Sequence, residues 1–460
     1  MRSTTPSRRA DVLGVLAVVL GAVAVLAPAL RPGVSLGPFD LLAKIGLTHR
    51  AGVHFHDAFP ADQALYFLPM TNLAWHQVHA GHLPLWNPYN ALGTPLAFNW
   101  QSGVLSLPTL VGYLVPLRYM YTVIVLVKLV IAGTGAYTLC RVLRLRPLAA
   151  VFGGIAFELS GPMVHYSGWA MTSVTAWSGW ILAFGILLVR GQRRARDGAL
   201  LALVAAAAVY GGHPESVLVT GISAVVFFVA LLVCRGTRRW ADWRRPIGDL
   251  ALSAVGAFGL AAPLVLPGAQ VAGLSSRAGA SGGGAFGLSH LSDLAVALRG
   301  NDFRVPPPYL GVLTIALAAL ALRTAWRRPE VRALAVTVVV ALLLCFKTPL
   351  YAVINGLPKI KAITWNREAM LLALAVAVLG AIGVEQLLDD PDPDDGARRA
   401  RLAFLVRAVI VVGAVVALVA LLVAGHVEHA HGGRAGAFAW PAAEVVGGLG
   451  LVLALLRLER

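Results

Sequence analysis

Asp62, Asn87, Asn99 and Gln101 are the residues whose types and spacing best suit chemistry. They stand among Tyr66, Trp86, Tyr89 and Trp100 in a polar stretch, 61–108, that reads ADQALYFLP…GHLPLWNPYNALGTPLAFNWQSGVLSLP. Such a surface faces lipid poorly and a ligand well. Asp62, with Tyr66 and Pro69 at near-helical spacing, offers a carboxylate that could deprotonate an acceptor hydroxyl or hold a divalent metal through oxygen. The same position suits a solvated loop acid or a helix N-cap. Asp40 and Asp57 read more simply as solvated loop acids or helix N-caps.

Other polar residues stand at the ends of apolar runs or inside them. Glu158 in AFELSGP lies within such a run, where an ionised carboxylate costs roughly 2.5–3.5 kcal/mol near a bilayer centre. It reads as a residue facing a cavity, or as a neutral, hydrogen-bonded acid near the interface. His213 and Glu215 share the hairpin GGHPES, which its glycines and proline explain equally well as a turn. Lys128, in mid-run, either snorkels or pairs inside a helix bundle. Arg277, Lys347, Lys359, Lys361 and Arg367 are placed to meet an anionic headgroup, which arginine binds bidentately, or to anchor helices at an interface. The histidine groups 54/56, 76/79/82 and 426/429/431 match no closed zinc pattern.

The elements that must position these groups are membrane helices. Of 460 residues, 58% are hydrophobic and 13% charged, and the mean hydropathy is +0.75, far outside the range of soluble proteins. Apolar runs at 11–30, 119–140, 148–165, 172–189, 198–212, 216–234, 247–270, 309–325, 331–346, 368–388, 403–424 and 440–456 predict about twelve spans, each near the 20 or so residues that a roughly 30 Å hydrocarbon core requires. Every second connection is rich in arginine, and most of the 38 Lys+Arg fall on that side. The net charge of +16 therefore reads as the positive-inside signal of a multi-pass protein, with both termini cytoplasmic, rather than as a nucleic-acid surface. The first run reads as a span and not as a cleaved signal peptide.

In this register the chain is one all-α membrane domain, 1–460. Its first outer loop, 32–118, carries the candidate site, and an acidic cytoplasmic linker occupies 389–401. The run 103–117 is too short and proline-broken to cross, and predicts a re-entrant or interfacial helix. The three cysteines offer no disulfide framework: Cys140 and Cys234 are expected at cytoplasmic helix ends and Cys345 near the opposite face.

On particular residues the chain resembles the YfhO-like bacterial membrane proteins, which belong to the GT-C class of membrane glycosyltransferases. These residues are Asp62 with Pro69, the run GHLPLWNP at 81–88, GTP at 93–95, NWQ at 99–101, Pro108, Ser160-Gly161 and GHP at 212–214. Farther on they are Ser276-Arg277, YLG at 309–311, TPLY at 348–351, and Leu357-Pro358 leading to Arg367. The resemblance spans residues 55–388 and rests most on the LPLWNP run. It implies inverting transfer of a sugar from a polyprenyl-phosphate donor to a cell-envelope glycan or lipid acceptor, at the outer face of a bacterial cytoplasmic membrane. It implies Asp62 as the base or as a ligand of a divalent metal such as Mg2+ or Mn2+. Trp86, Asn87, Asn99 and Gln101 would then line the sugar or acceptor site, with Tyr66, Glu158 and His213 as further substrate contacts, and Arg277 and Arg367 would meet the leaving phosphate. The usual glutamine after the GHP turn is Glu215 here, and the large C-terminal extension of longer members is absent from this sequence. Two rival expectations are a transporter of polyprenyl-linked glycan or lipid and a non-catalytic envelope assembly factor. A transporter should show a polar path across the bilayer, whereas the polar residues here gather at one face.

Overall fold

The computed structural model describes residues 8–44, 48–54, 60–236, 239–274, 284–295, 308–357, 360, 363–388, 400 and 403–405. Nearly all regular structure among them is helical. The helices are α1 (Arg8–Leu26), α2 (Phe39–Leu42), α3 (Leu68–His79), α4 (Leu107–Gly112), α5 (Leu117–Val142), α6 (Pro147–Glu158), α7 (Gly161–His165) and α8 (Ala170–Thr175). They continue as α9 (Ser178–Arg190), α10 (Arg194–Tyr210), α11 (Pro214–Cys234), α12 (Trp240–Gly273), α13 (Val312–Thr324), α14 (Pro329–Cys345), α15 (Pro349–Asn355) and α16 (Ala369–Leu388). One two-stranded antiparallel ribbon, β1 (Trp86–Asn87) with β2 (Thr94–Pro95), lies in the first loop in the register Trp86↔Pro95 and Asn87↔Thr94.

Six helical stretches among the described residues are long and apolar enough to cross a membrane: Arg8–Leu30, Leu117–Val142, Ala170–Arg190, Pro214–Cys234, Trp240–Gly273 and Trp365–Leu388. The chain is thus an all-α membrane protein. The expected runs 148–165, 198–212, 309–325 and 331–346 coincide with shorter helices, and the first of them breaks at Leu159–Ser160 between α6 and α7. Runs 403–424 and 440–456 and the linker 389–401 lie almost wholly outside the described residues. The helix α4, with six residues, rises only about 9 Å. It is too short to cross a membrane, as the proline-broken run 103–117 predicts.

Helix ends sort onto two faces. On one, Arg141 meets Asp11 at 2.6 Å, Arg190 meets Glu330 at 3.4 Å and Arg194 meets Asp249 at 3.0 Å. Arginines on this face also supply donors to the last carbonyls of helices, which have no intrahelical partner. Arg190 donates to Val142 O at 2.6 Å, Arg328 to Leu143 O at 2.7 Å, and Arg146 to Leu388 O. Arg332 donates to Cys234 O, and Arg235 to Val189 O at 3.4 Å. These arginines thus cap the ends of α5, α9, α11 and α16. The opposite face gathers the first loop, the α6–α9 connection, the α10–α11 turn, the C-terminal end of α12 and the start of the 310 turn Trp365–Glu368.

The core runs along α16, an apolar helix buried on all sides from Ala369 to Gly383, as expected for the centre of a bundle. It packs against α13, α6 and α14. At the periphery α12 leaves Leu252, Val255, Phe258, Leu260 and Leu266 exposed, a surface suited to lipid.

Candidate functional site

Pro69 shapes the helix that carries Asp62. Lacking an N–H, it cannot bond to the carbonyl four residues back, and its ring crowds that carbonyl. The chain answers with a π turn over Gln63–Phe67, in which the Leu68 N–H reaches Gln63 O. Such turns recur at functional sites. Here the turn leaves Asp62 exposed at its start, with no side-chain cap bond, while Gln63 points inward. Of the two bland readings of Asp62, the solvated acid fits and the capping residue does not.

Gln63 is a node. Tyr121 donates to its Oε1 at 2.9 Å and to Gly168 O at 2.8 Å. Two turns farther along α5, the buried Lys128 ammonium donates to Ser167 O and to Trp169 O, both at 2.9 Å. Lys128 therefore neither snorkels nor pairs with a carboxylate in these contacts; it props the 167–169 turn from beneath. Between that turn and the first loop lies a cavity of about 280 Å3. Its lining includes Gly37, Asp40, Gln63, Tyr121, Ser167 and Gly168. Asp40, read from sequence as a loop acid, is half-buried in this wall, and its Oδ1 accepts from the Leu41 N–H at 2.9 Å.

The rest of the first loop is docked on the bundle. Asn99 Nδ2 donates to the Tyr66 hydroxyl at 2.6 Å, which brings two expected site residues together. Trp100 Nε1 donates to Leu264 O at 3.2 Å in α12, and a Cβ on Gly268 would lie 2.2 Å from that indole nitrogen. Gly212, at φ +86°, lets the α10–α11 turn approach Trp100 O, where a Cβ would come within 2.3 Å. Gln101 is half-buried in the following 310 turn. Tyr113 donates to Val104 O at 2.9 Å, and burial raises its phenol above the ordinary range, which keeps it a donor.

Trp86 and Asn87 sit apart from this cluster, on the ribbon. Trp86 is half-exposed and covers Gly93, while Asn87 is buried and its Oδ1 accepts from Tyr89 N at 2.9 Å. That bond is an Asx turn, so Asn87 holds the ribbon. The ribbon's own turn contains Ala91 and Leu92 at positive φ, and its Leu92 and Tyr89 are exposed.

The remaining expected residues disperse. Glu158 is fully buried between α1, α5 and α6, close to Gly21 and Gly133, and neither carboxyl oxygen has a partner among the described residues. It is a bundle-interior acid and does not line the 280 Å3 cavity. His213 caps α11, its Nδ1 accepting from Ser216 N at 3.1 Å. Arg367 is ion-paired with Glu215, whose other oxygen accepts from Thr364 N. Its guanidinium is therefore already matched by a carboxylate. Arg277, Asp57, Lys359 and Lys361 lie outside the described residues.

Sequence reasoning missed Asp40 as a cavity residue and gave no notice of Tyr121, which ordinary helix composition hides. It also passed over Glu368, a carboxylate that opens the apolar run 368–388. Among the described residues no group of three or more His, Cys, Asp or Glu could hold a metal ion. No family model matches this chain, and no curated protein matches it.

Proposed function

We propose that this chain is an inverting membrane glycosyltransferase of GT-C type, working where the first loop meets the bundle. The observation that supports this best is the 280 Å3 cavity lined by Asp40, Gln63, Tyr121 and Ser167, with Asp62 exposed one residue before Gln63. A cavity of that size with a carboxylate, an amide and hydroxyls in its walls suits a polyhydroxylated headgroup. In this reading about twelve spans place both termini in the bacterial cytoplasm and the first loop outside.

The donor is a polyprenyl-phosphate sugar whose tail stays in lipid while its sugar enters the cavity. Asp40 and Gln63 hold the sugar hydroxyls, and Asp62 faces the acceptor arriving from solvent. The acceptor oxygen forms a bond to the anomeric carbon as the bond from that carbon to the phosphate oxygen breaks. The electron pair leaves with the phosphate, and the acceptor proton passes to Asp62. Much of the rate then comes from alignment of the three centres, which the docked loop provides. The leaving phosphate is assigned to Arg367 and Arg277, with Glu215 as the internal anion that phosphate must displace or share. A divalent metal finds one carboxylate in the cavity, Asp40, beside a glutamine oxygen that already accepts from Tyr121. Among the described residues that donor set does not make a metal site.

A second reading, a transporter of polyprenyl-linked glycan or lipid, is favoured by Glu158 and Lys128 inside the bundle. Mass spectrometry of envelope lipids and polymers from a deletion strain separates the two. Loss of one sugar substituent with build-up of its polyprenyl-phosphate donor is the expected result. Intact substituents with a trapped inner-leaflet lipid would sink the transferase.

A further inference from the structure

Away from the first loop, four helices converge on a second, smaller chamber. Ser178 and Leu182 from α9, Thr220 and Ser223 from α11, Thr337 from α14, and Leu371 and Ala375 from α16 line a space of about 20 Å3. It shares no lining residue with the larger cavity. That volume suffices for one water-sized particle. All four hydroxyl residues are more than nine-tenths buried.

Two of the chamber's four hydroxyls spend their protons elsewhere, which leaves their oxygen lone pairs free. Ser223 Oγ gives its proton to Glu368 Oε2 at 2.7 Å, and Thr337 Oγ1 gives its proton to Ala333 O at 3.0 Å. Among the described residues, Ser178 Oγ, Thr220 Oγ1 and Glu368 Oε1 are buried without a hydrogen-bond partner. Glu368 itself is 1% exposed and stands one turn before Leu371, on the same face of the helix. Its chain neighbour Arg367 is matched to Glu215. A buried carboxylate without a counter-charge is costly, and unpaired hydroxyls in a bundle core add to that cost. A particle of single positive charge would give the hydroxyl oxygens a ligand and the carboxylate behind Ser223 a counter-charge.

We propose that this chamber binds one monovalent alkali-metal cation, coordinated by the hydroxyl oxygens of Ser178, Thr220, Ser223 and Thr337 and balanced by the Glu368 carboxylate. The ion ties α9, α11, α14 and α16 together beneath the loop face. A single carboxylate matches one charge, which sets the class as monovalent. Sodium and potassium share this chemistry, and the test distinguishes them.

The test uses the full chain purified in lipid nanodiscs, with NaCl, KCl or N-methylglucamine chloride at constant ionic strength. One or both alkali salts should raise the apparent Tm saturably, on the order of 2 °C or more, relative to the organic cation, because a ligand that binds only the folded state stabilises it. Equilibrium binding of 22Na+, or of 86Rb+ as the potassium probe, should give one ion per chain. Glu368→Gln, Thr220→Val and the milder Ser178→Ala should each weaken the salt-specific shift at least tenfold in midpoint concentration. Equal Tm in all three salts, as an ordered water would give, overturns the proposal. So does a shift or a bound ion retained in both Glu368→Gln and Ser178→Ala.

Discussion

Glu215 and Arg367 form an ion pair that joins the α10–α11 turn to the 310 turn leading into α16, and the same carboxylate also takes the Thr364 N–H. One residue therefore fixes both the position and the charge of the candidate phosphate ligand. Arg367→Gln should raise the donor KM by roughly ten-fold or more, since one charge-assisted hydrogen bond is worth about 1.5–3 kcal/mol. Glu215→Gln, which keeps an acceptor for Thr364, should lower donor KM by freeing the guanidinium. Donor titrations in nanodiscs read both, and unchanged KM in the two variants would remove Arg367 from the phosphate site.

Lys128 holds the wall of the larger cavity through the Ser167 and Trp169 carbonyls. Lys128→Met should cost roughly 1.5–3 kcal/mol of stability, the value of a hydrogen bond to a charged group. It should also weaken headgroup binding. A Lys128→Met protein with wild-type Tm and donor KM would show that the ammonium does not position the turn.

Glu158 and Gly133 are sterically coupled: a Cβ at position 133 would lie 1.9 Å from Glu158 Oε2. Gly133→Ala should destabilise by about 1–3 kcal/mol, as overpacking does. Combining it with Glu158→Ala should recover much of that loss, a non-additivity readable by thermal melts in a double-mutant cycle. Strictly additive effects would mean that the two helices do not meet there.

Topology is open to direct labelling. Single cysteines at Arg196 and Arg239 should react only after the membrane is permeabilised, and one at His82 should react in intact cells. His82 and Arg196 reporting the same compartment would break the two-face arrangement and strip Asp62 of its role.

Much of this architecture was legible because membrane helices must be long, apolar and flanked by charge. Arg141, Arg190, Arg328 and Arg332 marked one face in sequence and gather there in the structure, where Arg190, Arg328 and Arg332 also cap helix ends. Local punctuation was legible too: the prolines around 103–117 foretold a helix too short to cross. The cavity was not. Asp40 and Tyr121 are 81 residues apart and share a wall only because the first loop folds back onto α5, which no local spacing encodes. His213 and Asn87 looked like ligand contacts because cap and turn residues are the same polar types. Only their bonds to Ser216 N and Tyr89 N distinguish the roles.

The central claim is sugar transfer with Asp62 as the base, and the most direct measurement is transfer rate per folded molecule in nanodiscs with a labelled polyprenyl-phosphate sugar. Asp62→Asn keeps shape while removing basicity, and should lower kcat about a hundredfold to ten-thousandfold with normal insertion and Tm. Asp40→Asn should act mainly on donor KM, and Asp57→Asn should leave turnover intact. Full turnover by Asp62→Asn, or its abolition by Asp57→Asn alone, would contradict the assignment.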